Sequence, residues 1–419
     1  MKILFVHQNF PGQFLHLAPA LVREGHDVVA LSMRVGARGV TIWQGVKVFS
    51  YRAHRGSSAT VHPWASDVET KVIRGEACLR AALSLQRLGW TPDAIVAHPG
   101  WGESLFLKDL WPKARLGLYL EFFYRMEHQD VVFDPEFASE DRLKTASMLR
   151  MRNAVSLLHL EAMNAALSPT LWQSTTYPQA FREYTTVAHD GIDTVRLCPN
   201  PAATVTVNGQ LSLRAADQVV TFVSRNLEPY RGYHIFMRAL PEILRCSPNA
   251  HVLIVGGDGV SYGRPPDPEL DGHTTWKEKF ATPARAQLTA EEWSRVHFLG
   301  KVPYEMYISV LQVSSVHVYW TYPFVLSWSL LEAMSVGCTI VASDTAPVRE
   351  VITDEETGHL VDFFDASEMA RKVCEALAST KGSLNDVGRQ ARELIRSRYD
   401  LASQCLPERI TWVQDKLLS

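Results

Sequence analysis

"KILFVHQNFPGQF", residues 2–14, opens as an unbroken apolar run, crosses a polar turn and enters a helical pattern. An uninterrupted run of this kind marks a parallel strand covered on both faces. The helix that follows carries Phe14, Leu17 and Leu21 at helical spacing and stops at "EGH" (24–26), where Gly25 ends it. "DVVALS" (27–32), "VKVFSY" (46–51), "DAIVAH" (93–98) and "LGLYLEF" (116–122) supply further strands, with helical stretches such as 67–89 and 139–163 between them. Alternation of strand and helix predicts a doubly wound α/β sheet.

A second series of the same kind follows. The composition changes around 198–216, where prolines, a glycine and small polar residues read as a linker. Strands then recur at "VVTFVSR" (219–225), "HVLIVGG" (251–257), "VHFLGKV" (296–302), "VHVYW" (316–320) and "TIVASD" (339–344). The segment 258–294, rich in proline, glycine and charge, reads as an insertion loop. The pattern therefore predicts two Rossmann-like domains, residues 1–200 and 217–400, facing each other across a cleft. Apolar residues at helical intervals predict a closing helix at 401–419. Ligands of such sheets bind at the carboxyl ends of the strands.

The bulk properties narrow the class. A chain of 419 residues with 46% hydrophobic and 21% charged residues is globular and too long for one ordinary core. A net charge of −3 gives no pull towards nucleic acid. Six scattered cysteines, with no CxxC, read as free thiols in a reducing cytoplasm. The first residues do not form a signal peptide, and no stretch approaches the roughly 18 apolar residues of a membrane span. A cytoplasmic location is expected, with peripheral membrane contact left open.

Several residues suit a ligand at the strand ends. Gly12, preceded by Pro11, sits where the first helix should begin, either to admit an anion or as an ordinary βα turn. The dinucleotide fingerprint is absent, since no G-x-G-x-x-G follows this strand and "GGDG" (256–259) has the wrong spacing. Arg225 ends a strand and Arg231 precedes the next helix. They suit either a diphosphate clamp or two surface arginines paired with Glu228. Ser327 is a natural N-cap for "WSLLEAM", which would point the amides of Ser327, Trp328 and Ser329 at an anion. Glu332, in an otherwise apolar segment, requires a partner, which is either a ribose or a structural group such as backbone or arginine. His98 ends a strand, where it can meet a substrate or serve the core. Glu121, Tyr124 and Arg125 follow another strand and suit either sugar binding or a charged exit from a core strand.

Together these residues resemble a retaining glycosyltransferase of the GT-B fold, family 4 (glycosyl transferases group 1), over nearly the whole chain. The resemblance rests on "HQNFPGQFLHLAPALVREGHDVVALS", "VAHDGIDT" (187–194), "SRNLEPYRGYHIFMRAL", "FLGKVP" (298–303) and "LLEAMSVGCTIVASDTAPVREVI". In "VAHDGIDT", Asp190 stands where asparagine is usual. The resemblance implies transfer of a sugar from a nucleoside diphosphate sugar, UDP- or GDP-linked, to a saccharide, lipid-linked or other hydroxyl acceptor. It implies retention of configuration and no metal or cofactor. Arg225, Arg231 and His98 would be catalytic, with Arg231 in the place of the usual lysine. Gly12, Lys301, Val302, Leu326, Ser327, Trp328 and Glu332 would hold the donor, and Glu121, Tyr124 and Arg125 the acceptor. One position departs from the pattern: the first glutamate of the family's E-x7-E motif falls at Phe324. A non-catalytic binder of nucleotide sugars, or a sugar-nucleotide epimerase of the same fold, is the alternative.

Overall fold

The computed structural model describes residues 1–33, 40–379 and 386–419. They fall into two compact units, Met1–Gly191 together with Leu401–Ser419, and Ile192–Asp400. The strands of the first unit are β1 (Lys2–Val6), β2 (Asp27–Ser32), β3 (Val40–Trp43), β4 (Val46–Ser50), β5 (Ala94–Ala97), β6 (Arg115–Tyr119), β7 (Ala165–Ser168) and β8 (Thr185–Val187). They form one sheet in the order β3-β4-β2-β1-β5-β6-β7-β8, parallel except for β3 against β4.

The apolar run of β1 explains itself in three dimensions. Ile3 and Phe5 pack on one face of the sheet with Phe14, Leu17 and Leu21. Leu4 and Val6 pack on the other with Cys78, Leu85 and Leu107. Trp412, Val413 and Leu417 join the Ile3 face, so the last helical segment of the chain completes this unit's core. Gly117 in β6 permits the contact, because a Cβ there would lie 2.6 Å from both Trp412 and Leu417.

The second unit contains β9 (Thr204–Val207), β10 (Leu211–Arg214), β11 (Val219–Asn226), β12 (His251–Gly257), β13 (Val296–Gly300), β14 (Val316–Tyr319), β15 (Thr339–Ser343) and β16 (His359–Val361). Its main sheet is wholly parallel, in the order β13-β12-β11-β14-β15-β16.

Three expectations are corrected. The segment read as a linker holds the antiparallel hairpin β9–β10. Asn208 and Gly209 both take positive φ in the three-residue loop, 208–210, that joins its strands. The segment read as an insertion loop contains the helices Pro268–Asp271, Trp276–Ala286 and Ala290–Ser294. Trp276, Phe280 and Ala284 recur every fourth residue and are buried, and Thr275 and Thr289 cap the last two helices. Nor are all six cysteines free. Cys246 and Cys374 form a disulfide between the helices Tyr233–Cys246 and Ala366–Ser379, while Cys78, Cys198, Cys338 and Cys405 are free thiols. The two paired residues are 128 positions apart, a separation that no local spacing rule detects. Among the described residues no helix is long and apolar enough to cross a membrane.

Candidate active site

In each sheet the strand order reverses beside the first long strand, and ligands of open α/β sheets bind at such a point. In the first unit β1 lies between β2 and β5, so the residues leaving β1 and β5 meet. These are His7 and His98, whose rings stand 5.7 Å apart, edge to face. Each Nδ1 accepts the backbone N–H two residues on, from Asn9 at 3.0 Å and from Gly100 at 3.1 Å. Both rings therefore carry their proton on Nε2.

From there the contacts converge. His7 Nε2 donates to Gln13 Oε1 at 2.7 Å, and Gln13 Nε2 donates to Glu121 Oε1 at 2.9 Å. His98 Nε2 faces Glu121 Oε2 at 3.4 Å. Burial, and then the neighbouring His98, lower His7 to a pKa of about 4. Burial pushes the Glu121 carboxyl up, but His98 and Gln13 outweigh it and leave its pKa below the ordinary value. The result is one ionised carboxylate facing neutral donors.

Gly12 takes a different part from the expected phosphate turn. Its φ is +48°, and a Cβ on it would lie 2.2 Å from the His7 ring. Glycine here makes room for an imidazole. It opens a short 3-10 turn, Gly12–Phe14, and the α-helix begins only at Leu17. Tyr124 and Arg125 are also drawn elsewhere. The Arg152 guanidinium lies 3.7 Å over the Tyr124 ring, and Arg125 donates to the carbonyls of Thr176 and Tyr177. Of the three residues after β6, only Glu121 joins the histidines.

A buried ion pair braces this site. Arg409, on the helix Leu406–Val413, pairs with Asp190 at 2.8 Å with both side chains at least 95% buried. Tyr119 donates to the other Asp190 oxygen at 2.8 Å, and Arg409 also donates to the Gln13 carbonyl at 3.1 Å. The aspartate in the family's asparagine position thus has a cation beside it.

In the second unit the reversal lies between β11 and β14. Arg225, near the end of β11, is exposed, and has no hydrogen-bond or ion-pair partner among the described residues. Arg231 behaves otherwise. It donates to Thr321 Oγ1 at 2.9 Å and to the Val325 carbonyl at 3.1 Å, and it lies over the rings of Tyr262 and Phe324. Neither arginine forms an ion pair with Glu228. That carboxylate is fully buried and accepts the backbone N–H groups of Ser261 and Tyr262 instead. Phe324 is buried edge-on against Tyr230 and Tyr262. A carboxylate at that position would lose its water among aromatic rings.

Glu332 has protein partners, although not the anticipated ones. Tyr304 donates to Oε1 at 2.8 Å and Tyr307 to Oε2 at 2.5 Å. Burial pushes the Glu332 carboxyl up, against the two tyrosine hydrogen bonds. At the helix cap, the Ser327 N–H donates to Tyr319 at 2.9 Å and the Ser329 N–H to Ser327 Oγ at 3.4 Å. Two of the three amides expected to face an anion are therefore engaged within the protein. Leu326 is buried while Trp328 is exposed. Lys301 is exposed and its stem lies against Gly257, and Val302 follows half-buried.

His7, Gln13, Tyr304, Tyr307 and Arg409 lie outside the candidate residues named from the sequence. One signal was present for His7: three apolar runs of the first unit, at 2–7, 93–98 and 185–189, each end in histidine. All three rings accept the N–H two residues on, His189 from Gly191 at 3.0 Å. The tyrosines and Arg409 carried no local sign.

Comparison with known proteins agrees with this architecture. A family model for the glycosyl transferase family 4 group matches residues 24–197, and one for glycosyl transferases group 1 matches residues 217–379. Phosphatidyl-myo-inositol mannosyltransferase of Mycolicibacterium smegmatis is 27% identical over 188 residues, covering 44% of this chain and 43% of the relative. The match thus spans less than half the length of that curated relative. Sucrose-phosphate synthase from Thermosynechococcus elongatus superposes with a TM-score of 0.74 at 17% identity, over 100% of both chains. Anabaena HepE, crystallised with UDP and glucose, superposes with a TM-score of 0.65 at 17% identity, also over 100% of both chains. At these identities the structural likeness speaks for the fold alone.

Proposed function

We propose, for a chain that belongs to the GT-B glycosyltransferases with a family 4 domain in its first unit and a group 1 domain in its second, that it moves a sugar from a nucleoside diphosphate sugar to a hydroxyl acceptor with retention of configuration. The observation that carries the reading is Arg225, an exposed cation without a protein partner among the described residues, at the reversal point of the second sheet. A guanidinium there matches a diphosphate in charge and in its forked geometry. The UDP bound in the HepE structure supports the same class of donor.

In the transfer, the acceptor oxygen bonds to the anomeric carbon as that carbon's bond to the diphosphate breaks. The acceptor's proton passes to the leaving phosphate on the same face. Charge gathers on the diphosphate, and fixed cations placed there lower the barrier. Arg225 is assigned that role. Arg231 acts beside it and also tethers the Thr321–Val325 loop. After accepting from two tyrosines, Glu332 keeps acceptor capacity on each oxygen, which suits a ribose hydroxyl. Lys301, Val302, Leu326, Ser327 and Trp328 are assigned to the donor's surroundings, and the first unit's reversal point, with His98, to the acceptor.

A thermal-shift panel with UDP, GDP, ADP, dTDP and NAD tests the donor class. Ligand at 100 times its Kd adds about 2.7 kcal/mol, a rise of roughly 5–10 °C for a domain of this size. A rise with one nucleoside diphosphate and none with NAD is expected, and silence across the nucleoside diphosphates would defeat the reading. Phe324 favours a second reading, a binder of nucleotide sugar that never turns it over. That reading requires nucleotide binding without nucleoside diphosphate release in any acceptor screen.

A further inference from the structure

We infer that Glu121 is the carboxylate of the first unit that receives an acceptor hydroxyl, and that His98, Gln13 and His7 are its positioning residues. The inference rests on the glycosyltransferase reading and assigns a role within its acceptor site.

His98 is 4% exposed, stacked on Trp101 at 4.2 Å, with Tyr119 at 5.8 Å. Its Nδ1 lone pair is taken by the Gly100 N–H, so Nε2 bears the proton and points at Glu121. A ring in that state has no free lone pair for a substrate hydroxyl. His7 is equally committed, with Nδ1 accepting from Asn9 and Nε2 donating to Gln13. Because His7 is the donor, Gln13 must present its carbonyl oxygen to His7 and its amide N–H to Glu121. The Gln13 amide, oriented by His7, and His98 Nε2 thus both face one carboxylate.

Glu121 also reaches solvent, with 29% of its side chain exposed. A carboxylate offers about four acceptor positions; Gln13 occupies one, and His98 Nε2 faces the carboxylate at 3.4 Å without a formed hydrogen bond. Those remaining accept hydrogen bonds and repel anions, which selects a hydroxyl-bearing acceptor face over a phosphate. The 3.4 Å gap between His98 Nε2 and Glu121 is longer than a well-formed hydrogen bond, and such contacts commonly tighten when substrate binds. Arg409 fixes the Gln13 backbone from the far end of the chain, and its ion pair with Asp190 holds the guanidinium there.

The test combines histidine spectroscopy with glycoside binding in the full chain. Nitrogen-15 correlation spectra at pH 7 should show both His7 and His98 as the Nε2–H tautomer, and an Nδ1–H tautomer at His98 would overturn the inference. Methyl α-glucopyranoside, α-mannopyranoside and α-galactopyranoside, titrated at high concentration, should shift the Trp101 indole signal with at least one of them. Glu121→Gln should weaken that binding about 10-fold or more, since a charged acceptor is lost. Gln13→Ala should weaken it less, and serves in its place if Glu121→Gln does not fold. Unchanged binding in both variants, or silence of all three glycosides with the unaltered protein, would overturn the assignment. The nucleotide panel separates the two readings. Nucleoside diphosphate binding without glycoside binding defeats the role of Glu121 alone. Glycoside binding without nucleoside diphosphate binding defeats the transferase reading.

Discussion

At the carboxyl ends of β1, β5 and β6 the first unit gathers two neutral histidines, a glutamine and one ionised carboxylate. At the carboxyl ends of β11 and β14 the second gathers two arginines, a ring of aromatics and a buried glutamate held by tyrosines. Both sites stand where a parallel sheet reverses its strand order, yet they offer opposite charge. The sheet fixes where a ligand binds, and the short loops after each strand fix what kind it is. Hydroxyls suit the first site and a diphosphate the second.

The bracing of the first site gives the largest expected effect. Arg409→Met should cost about 3–5 kcal/mol in urea unfolding, because it leaves Asp190 buried without its cation. Adding Asp190→Leu should return part of the loss. If the single change is as mild as a surface substitution, the ion pair is not what holds the first site in place.

Acid separates the two sites by sign. His7 has a folded pKa of about 4 against 6.5 unfolded, so the unfolded chain takes up its proton first. Its contribution to stability is full above pH 6.5, falls as pH drops towards 4, and amounts to about 3 kcal/mol in all. Glu332 is shifted the other way. Its raised folded pKa contributes stability that is full below pH 4.5 and is lost as pH rises through the folded value. Melting temperature against pH, measured for the unaltered protein, His7→Gln and Glu332→Gln, should show the first variant flattening the acid limb. The second should flatten the change above pH 4.5. Parallel curves for all three would erase the contrast.

Within the second site the arginines should differ from each other. Arg225→Ala should depress nucleoside diphosphate release by about 100-fold while leaving the melting temperature unchanged, since the side chain is exposed and unpartnered among the described residues. Arg231→Ala should lower both, because it also holds Thr321 and Val325. Equal melting losses would show that the two are not divided between catalysis and scaffold. The smallest effect is expected for Tyr307→Phe, which removes one hydrogen bond to Glu332 and should cost about 1.5–3 kcal/mol of stability, read by urea unfolding.

Much of this architecture was legible before folding. "DVVALS" and "HVLIVGG" coincide with β2 and β12 residue for residue, since long apolar runs bounded by turns leave little choice. β3, β7, β8 and β16, of three or four residues each, lie outside the strands read from the sequence. The hairpin β9–β10 was misread although "NG" lies between alternating apolar residues, because the prolines before it suggested a linker. Arg225 and the Ser327 cap came from local rules and stand where those rules place them.

What the chain determined by itself is what depends on near neighbours: the strand and helix alternation, the glycine stops and the helix caps. Tertiary structure decided the partners. Tyr304 and Tyr307 reach Glu332 from an earlier helix, Cys246 finds Cys374 across 128 residues, and Glu121 meets contributions from residues 13 and 98. The physical reason is the crossover connection. Backbone preference and hydrophobic period act over a few residues, whereas the partner of a buried polar group is set by which strands become neighbours. In a doubly wound sheet those neighbours lie far apart along the chain.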